Sequence, residues 1–361
     1  MYETFDLVLA VNHACNLRCH YCYTGAKLNR PMPRDVAVTA IQRAVASLRL
    51  GGLLELGFFG GEPLLESRLV ADMIALAQVE TDRAGLQLRF GLTTNGTIID
   101  PDAWRVLCMP DLNLHVSHDG LPEIHDRHRR GPDGRGSSAH VLETIQRLLD
   151  AGREPRVVMV VRPDTVAEFP HGIAWLRQQG VTHVDPSLDL WAPWTAADAQ
   201  RLELAVGRAA DVWRDGLPDC GVGWFDAKAA HLFGCQSEPT ARCSYGNGQI
   251  AVSPAGRLYP CERVMGADSP DNMARLPGHV FDPGPFLSQT SGETGTAECF
   301  QCAIQSQCAT SCRCSNFIRT GDARRPDALL CLLDRVCFRE TARVLEVLRE
   351  HREPAFVSQG D

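Results

Sequence analysis

Fifteen cysteines in 361 residues constrain this chain more than any other feature. The opening Met1-Tyr2-Glu3-Thr4 lacks the basic segment of a secretory signal, so a reducing, cytoplasmic location is expected. There, so many thiols point to metal ligation rather than disulfides, and an odd number cannot pair completely. They are unevenly spread. Cys15, Cys19 and Cys22 fall within eight residues, Cys108 stands alone, and eleven lie between Cys220 and Cys337, both included. One metal site in a first domain and several in a second are therefore expected.

The rest of the composition narrows the class. With 44% hydrophobic and 22% charged residues the chain is neither disordered nor fibrous. A net charge of −8 argues against binding nucleic acid through its phosphates. No apolar run reaches the ~18 residues of a membrane span.

Apolar segments near 5–11, 54–59, 86–93, 112–116, 157–161 and 183–190 read as strands. Helical spacing separates them, with helices from Pro33, over 66–84 and near 101–108, 138–151 and 165–179. Six strands alternating with helices predict right-handed crossovers in a mostly parallel α/β sheet, with functional residues in the loops after the strands. This pattern alone fits a doubly wound sheet as well as an incomplete barrel. The expected organisation is a first domain over 1–194, a bridging helix over 195–217 and a cysteine-rich domain over 218–361. Periodicity is weak from about 218 to 325, so little apolar core is expected there and bound metal would have to order it. A terminal helix is expected over about 327–351.

Cys15-Asn16-Leu17-Arg18-Cys19-His20-Tyr21-Cys22 closely follows the first strand. Thiolates so spaced can converge on three irons of a cuboidal iron–sulfur cluster and leave the fourth iron open. A structural zinc with His13 or His20 as fourth ligand is the alternative, although zinc ligands more often come as two separated pairs.

This motif resembles that of the radical S-adenosylmethionine (SAM) superfamily. So do Gly60-Gly61-Glu62-Pro63, Thr94-Asn95-Gly96 and Ser117-His118-Asp119-Gly120 after the next three strands, then His125-Asp126 through Arg129 and Gly134-Arg135-Gly136-Ser137. The resemblance implies a partial (β/α)6 barrel and a [4Fe–4S] cluster on Cys15, Cys19 and Cys22, with SAM chelating the open iron. It implies that Gly60, Gly61 and Glu62 receive the methionine amino group and that Tyr21 packs near adenine. Asn95 and Ser117 become candidate polar contacts to SAM, and Arg129 a candidate fork for its carboxylate. The implied chemistry is reductive cleavage of SAM to a 5′-deoxyadenosyl radical that removes a substrate hydrogen.

The later cysteines have their own grammar. Cys243 is followed by twelve residues, Gly256, four residues and Cys261; then come Cys299-x2-Cys302-x5-Cys308-x3-Cys312 and, eighteen residues on, Cys331. This resembles the SPASM extension, which implies two auxiliary [4Fe–4S] clusters, three in all. By that resemblance one uses Cys235, Cys243, Cys261 and Cys312, and the other Cys299, Cys302, Cys308 and Cys331. Cys108 and Cys220 remain outside these sets, with Cys108 expected as a buried small hydrophobe. Cys314 and Cys337 also remain, as substitutes for Cys331.

Glu262, directly after Cys261, stands where sulfatase-maturating members carry an acidic general base, usually Asp. An ion pair with Arg263 or another cation is the plainer reading. Trp191 and Trp194 either line a peptide groove or pack against the bridging helix. The function expected from the resemblance is a peptide maturase, an oxidoreductase of ribosomal-peptide biosynthesis that cross-links its substrate through a carbon–carbon or thioether bond. A formylglycine-generating sulfatase maturase is the alternative, and a non-catalytic iron–sulfur electron carrier the alternative of another class. Expected partners are a precursor peptide or protein and a flavodoxin or ferredoxin reductant. With about four residues before the first strand, either a separate protein or the barrel and SPASM region recognises a leader peptide.

Overall fold

Strand β1 (Tyr2–Asn12) shows how the sequence builds the scaffold. Phe5, Leu7, Leu9 and Val11 alternate onto one face and are fully buried in the main core, while Val8 and Ala10 face the other way into a small separate cluster. In the computed structural model, which describes residues 1–234, 245–286, 297–308 and 312–352, this two-faced strand opens a repeating β/α series. It runs α1 (Arg34–Ser47), β2 (Leu48–Gly60), α2 (Ser67–Ala84), β3 (Gln87–Thr94), α3 (Pro101–Leu107) and β4 (Leu112–Ser117). Then follow α4 (Pro122–His128), α5 (Ser138–Asp150), β5 (Arg156–Val161), α6 (Phe169–Gln178) and β6 (His183–Leu188). Each strand pairs in parallel with its predecessor. The expected six-stranded parallel wall is therefore present.

The wall is longer than the sequence suggested. After α7 (Ala196–Arg214), whose first turn is closed by a Thr195–Asp198 capping box, β7 (Gly221–Val222) extends one edge and leads into α8 (Gly223–Leu232). At the other edge β8 (Gln249–Val252) pairs in parallel with β1, and β9 (Leu258–Tyr259) turns back antiparallel beside it. The weakly periodic region thus buries Phe225, Ile250, Tyr259 and Val280 completely, against the expectation that metal alone would order it. Two- and four-residue strands are too short for alternation to register in sequence, and a sheet edge already in place completes their burial.

Short helices α9 (Ala297–Phe300) and α10 (Arg313–Thr320) precede the terminal α11 (Ala328–Arg352), which packs along α7 and α8. A buried ion pair, Lys228 Nζ to Asp334 Oδ1 at 2.7 Å, pins α8 to α11. Cys337 is buried in this apolar seam, whereas Cys108 is only half-buried at the end of α3, more open than expected. No helix among the described residues is long and apolar enough to cross a membrane.

One row of inward-facing residues keeps the interior of the wall open. Val8, Gly57, Gly91 and Asn113 stand side by side across β1–β4. Two of the four carry no side chain, so the lumen at this level stays hollow where larger side chains would fill it.

Ile250 ties the cysteine-rich region to β1 and is buried at 1% exposure. Ile250→Ala is expected to lower stability by about 2–5 kcal/mol, read as a reduced urea midpoint. The same truncation at exposed Leu204 on α7 should move it by no more than ~0.5 kcal/mol.

Candidate active site

The segment carrying Cys15, Cys19 and Cys22 has no regular structure of its own, and its backbone is tied down from two sides. Gly61 and Glu62 N–H groups donate to the carbonyls of Asn12 (2.7 Å) and Ala14 (2.9 Å). Arg18 and His20 N–H groups donate to Arg130 and His128 at the end of α4. The first contact demands glycine. A Cβ on Gly61 would lie 2.0 Å from the Ala14 carbonyl oxygen, and one on Gly60 (φ +137°) 2.2 Å from that of Asn12. The missing side chains thus admit the cysteine loop itself.

Glu62 then braces the next strand end. Its fully buried carboxylate accepts from Leu64 N, Thr94 Oγ1 and Asn95 N, and burial pushes it up to about 7 against those hydrogen bonds. Asn95, so held, donates its amide to Asn16 Oδ1 at 2.8 Å and reaches Cys15 Sγ at 3.7 Å.

Asp119 is the corresponding brace on the far side. It accepts Arg129 Nε at 2.9 Å and Nη2 at 3.1 Å, Val160 N–H at 3.0 Å, and the Tyr21 hydroxyl. Burial alone would push its carboxyl up, but the Arg129 charge and these hydrogen bonds hold it down to about 2. The Arg129 guanidinium also lies 5.2 Å from the Tyr21 ring centre. Behind them His118 and His125 are buried with ring centres 4.2 Å apart and pushed down to about 4 and about 2, so both are neutral.

All of this encloses one cavity of about 730 Å³ at the C-terminal ends of the strands, extending into the hollow lumen. The three cysteines, Tyr21, Gly60 to Glu62, Asn95, Ser117 and Arg129 line it, as the sequence grouped them; Glu262 and Arg263 line its other wall. His20 stands edge-on to His128. Glu262 is half-buried and accepts from the Cys261 thiol at 3.3 Å. Among the described residues it forms no ion pair; Arg263 reaches Ser187 Oγ at 3.5 Å instead. Trp191 stacks on Tyr23 (4.8 Å, 5°) at the cavity wall, whereas Trp194 packs against the core and donates Nε1–H to the Asp189 carbonyl.

Beyond Glu262 the later thiols gather in two places. Cys314 lies 3.3 Å from Cys312 Sγ and hydrogen-bonds with Cys261, so it stands with this pair. Cys331 is pushed up to about 11 by burial, with Cys308 and Cys299 close enough to act in the same direction. Arg335 reaches Cys302 Sγ at 3.8 Å. Cys235 and Cys243 lie outside the described residues.

Sequence pattern alone does not single out Asp119 or Lys27. Asp119 lies within the Ser117-His118-Asp119-Gly120 motif, and its place at a strand end is the available signal. Lys27 has none.

Three cysteine thiols of one loop lining one cavity fit an iron–sulfur cluster with an open position, and comparison with known proteins agrees. Residues 9–176 match the Radical SAM superfamily, so the chain carries a radical SAM domain, a family that implies SAM and a [4Fe–4S] cluster. Over most of its length it is similar to the radical SAM cyclopropyl synthase TigE of Paramaledivibacter caminithermalis (23% identical, 84% of this chain, 66% of that one). It is similar to the serine-type anaerobic sulfatase-maturating enzyme of Klebsiella aerogenes (23%, 85% and 78%) and the PqqA peptide cyclase of Rhodopseudomonas palustris (25%, 92% and 90%). The chain spans about two thirds of the length of some curated relatives, 63% and 66% for two of them. Its fold matches native anSMEcpe with bound AdoMet and Kp18Cys peptide, at a TM-score of 0.74, 19% identity and coverage of 96% of this chain and 99% of that one.

Removing Asp119 strands a buried guanidinium. Asp119→Ala is expected to cost about 3–5 kcal/mol. Because Asp119 sits below its unfolded value of ~3.9, its contribution is fully present above pH ~4 and is lost as the pH falls through about 2. Acid unfolding followed by circular dichroism should show this loss in the wild type and not in the variant.

Proposed function

We propose that this protein is a radical SAM peptide maturase that forms a carbon–carbon or thioether cross-link in a ribosomally made peptide. One observation carries the reading: a single cavity joins the loop of Cys15, Cys19 and Cys22 to Glu262 and Arg263, directly after Cys261, across a hollow lumen. An electron carrier needs no such hollow. The kinship with a cyclopropyl synthase and a peptide cyclase supports a substrate in the peptide class.

When bound, the cluster and SAM supply a 5′-deoxyadenosyl radical, which abstracts hydrogen from the substrate. The chain's own residues bind, orient and exclude water. Cys15, Cys19 and Cys22 would hold the cluster, with Asn95 and Ser117 beside it for SAM's polar groups. Arg129 has two of its nitrogens engaged by Asp119, leaving Nη1 for a carboxylate. Tyr21 offers its ring as a wall for adenine, and Tyr23 with Trp191 a flat apolar surface for the peptide. Cys261 and Cys312, with Cys235 and Cys243, would hold one auxiliary cluster, and Cys299, Cys302, Cys308 and Cys331 a second. Glu262, which forms no ion pair among the described residues, can take a substrate proton at its carboxylate. A flavodoxin or ferredoxin would deliver electrons.

The same carboxylate supports a second reading, maturation of a sulfatase to formylglycine, to which Glu262 would contribute the base.

Anaerobic reconstitution should yield about twelve irons per chain and, with SAM and dithionite, 5′-deoxyadenosine. Replacing Cys15, Cys19 and Cys22 together by Ala should leave about two-thirds of the iron and no deoxyadenosine; cleavage surviving in that variant would refute the assignment. Glu262→Gln should leave SAM cleavage intact and lower the ratio of product to deoxyadenosine, by ~10²-fold for a full general base. An unchanged ratio would remove the proton-accepting role.

A further inference from the structure

Lys27 lies five residues after the third cysteine of the barrel loop. Its ammonium donates to Cys22 Sγ at 2.6 Å and to Thr24 Oγ1, which itself lies 3.2 Å from the same sulfur. The side chain is half-buried, and among the described residues no carboxylate stands within ion-pair distance of it. The other cations at this loop differ: exposed Arg18 donates to the Cys15 and Leu17 carbonyls and to no sulfur. Arg129, whose charge is felt at Cys19, is already compensated by the two-pronged contact with Asp119. Among the described residues Lys27 is thus the cation placed directly on a sulfur of this loop, and its charge falls on Cys22.

We propose that Lys27 is a positioning residue for electron transfer: its ammonium, held on the Cys22 sulfur, raises the reduction potential of the barrel cluster. The inference rests on the reading of Cys15, Cys19 and Cys22 as cluster ligands. The physical ground is general. Reduction adds one negative charge to a cluster whose three protein ligands are thiolates, and a hydrogen-bonded cation at ligand distance stabilises the reduced form more than the oxidised one. A charged donor does this more strongly than a neutral one. Thr24 fixes the ammonium against Cys22, so the charge is not free to swing into solvent.

The test is a redox titration of the reconstituted, anaerobic full-length protein, following by electron paramagnetic resonance the cluster signal that SAM perturbs. Subtracting the spectrum of the variant with Cys15, Cys19 and Cys22 all replaced by Ala isolates that signal. Lys27→Met should keep the wild-type iron content and shift the midpoint to more negative potential. Lys27→Arg, which keeps the charge, should recover part of the shift. If Lys27→Met assembles poorly, Lys27→Gln, a neutral donor, reads the same shift. An unchanged midpoint in a variant with full iron would overturn the proposal, as would an equal shift in Lys27→Arg and Lys27→Met. A wild-type protein with no SAM-responsive cluster would overturn the functional reading, and this inference with it.

Discussion

Asp119 has two carboxylate oxygens and four donors on them, and the groups so joined come from four separate parts of the chain. Tyr21 belongs to the cysteine loop, Arg129 to the end of α4, Val160 to β5, while Asp119 itself follows the end of β4. A buried carboxylate is costly unless every lone pair is met, and here each donor also gains by meeting it. The irregular loop that carries three thiols is thereby given a fixed place on a regular scaffold. Glu62 performs the matching task on the other flank with neutral donors alone, which is why it remains near 7 while Asp119 falls to about 2.

The second constraint is emptiness. Barrel interiors are ordinarily filled by layers of branched side chains, and Gly57 and Gly91 remove that filling at one level of this lumen. The strand ends and the lumen below them therefore form one cavity with the cysteine loop on one wall and Glu262 with Arg263 on another. The later region reaches this cavity because β8 extends the same sheet beside β1, so Cys261 follows from a short hairpin anchored on the barrel wall.

The parts of the fold legible in sequence are those that rest on periodicity and on motif spacing. Phe5, Leu7 and Leu9 announce β1, and Val38, Ile41, Val45 and Leu48 announce α1, although Leu48 falls at the start of β2. The cysteines of the barrel loop, Gly60 to Glu62, Asn95, Ser117 and Arg129 line one cavity as grouped, whereas the presence of Glu262 in that same cavity is not legible in the sequence. Two kinds of feature escape. Strands such as β7 and β9 have two residues each, below the length at which alternation means anything. Partnerships also escape, because spacing says which residues share a loop and not which atoms meet. Arg129 is legible as a cation near SAM, but its pairing with Asp119 is not, nor is Lys27 on Cys22. The role of the Gly60-Gly61 pair is equally hidden: their nearest neighbours are the carbonyls of Asn12 and Ala14.

The central claim is that SAM binds at the cluster held by Cys15, Cys19 and Cys22. The most direct measurement is the electron paramagnetic resonance spectrum of the dithionite-reduced, reconstituted protein before and after addition of SAM. SAM should change the line shape of one component in the wild type and leave the spectrum of the protein lacking those three cysteines unaltered. A wild-type spectrum indifferent to SAM would contradict it.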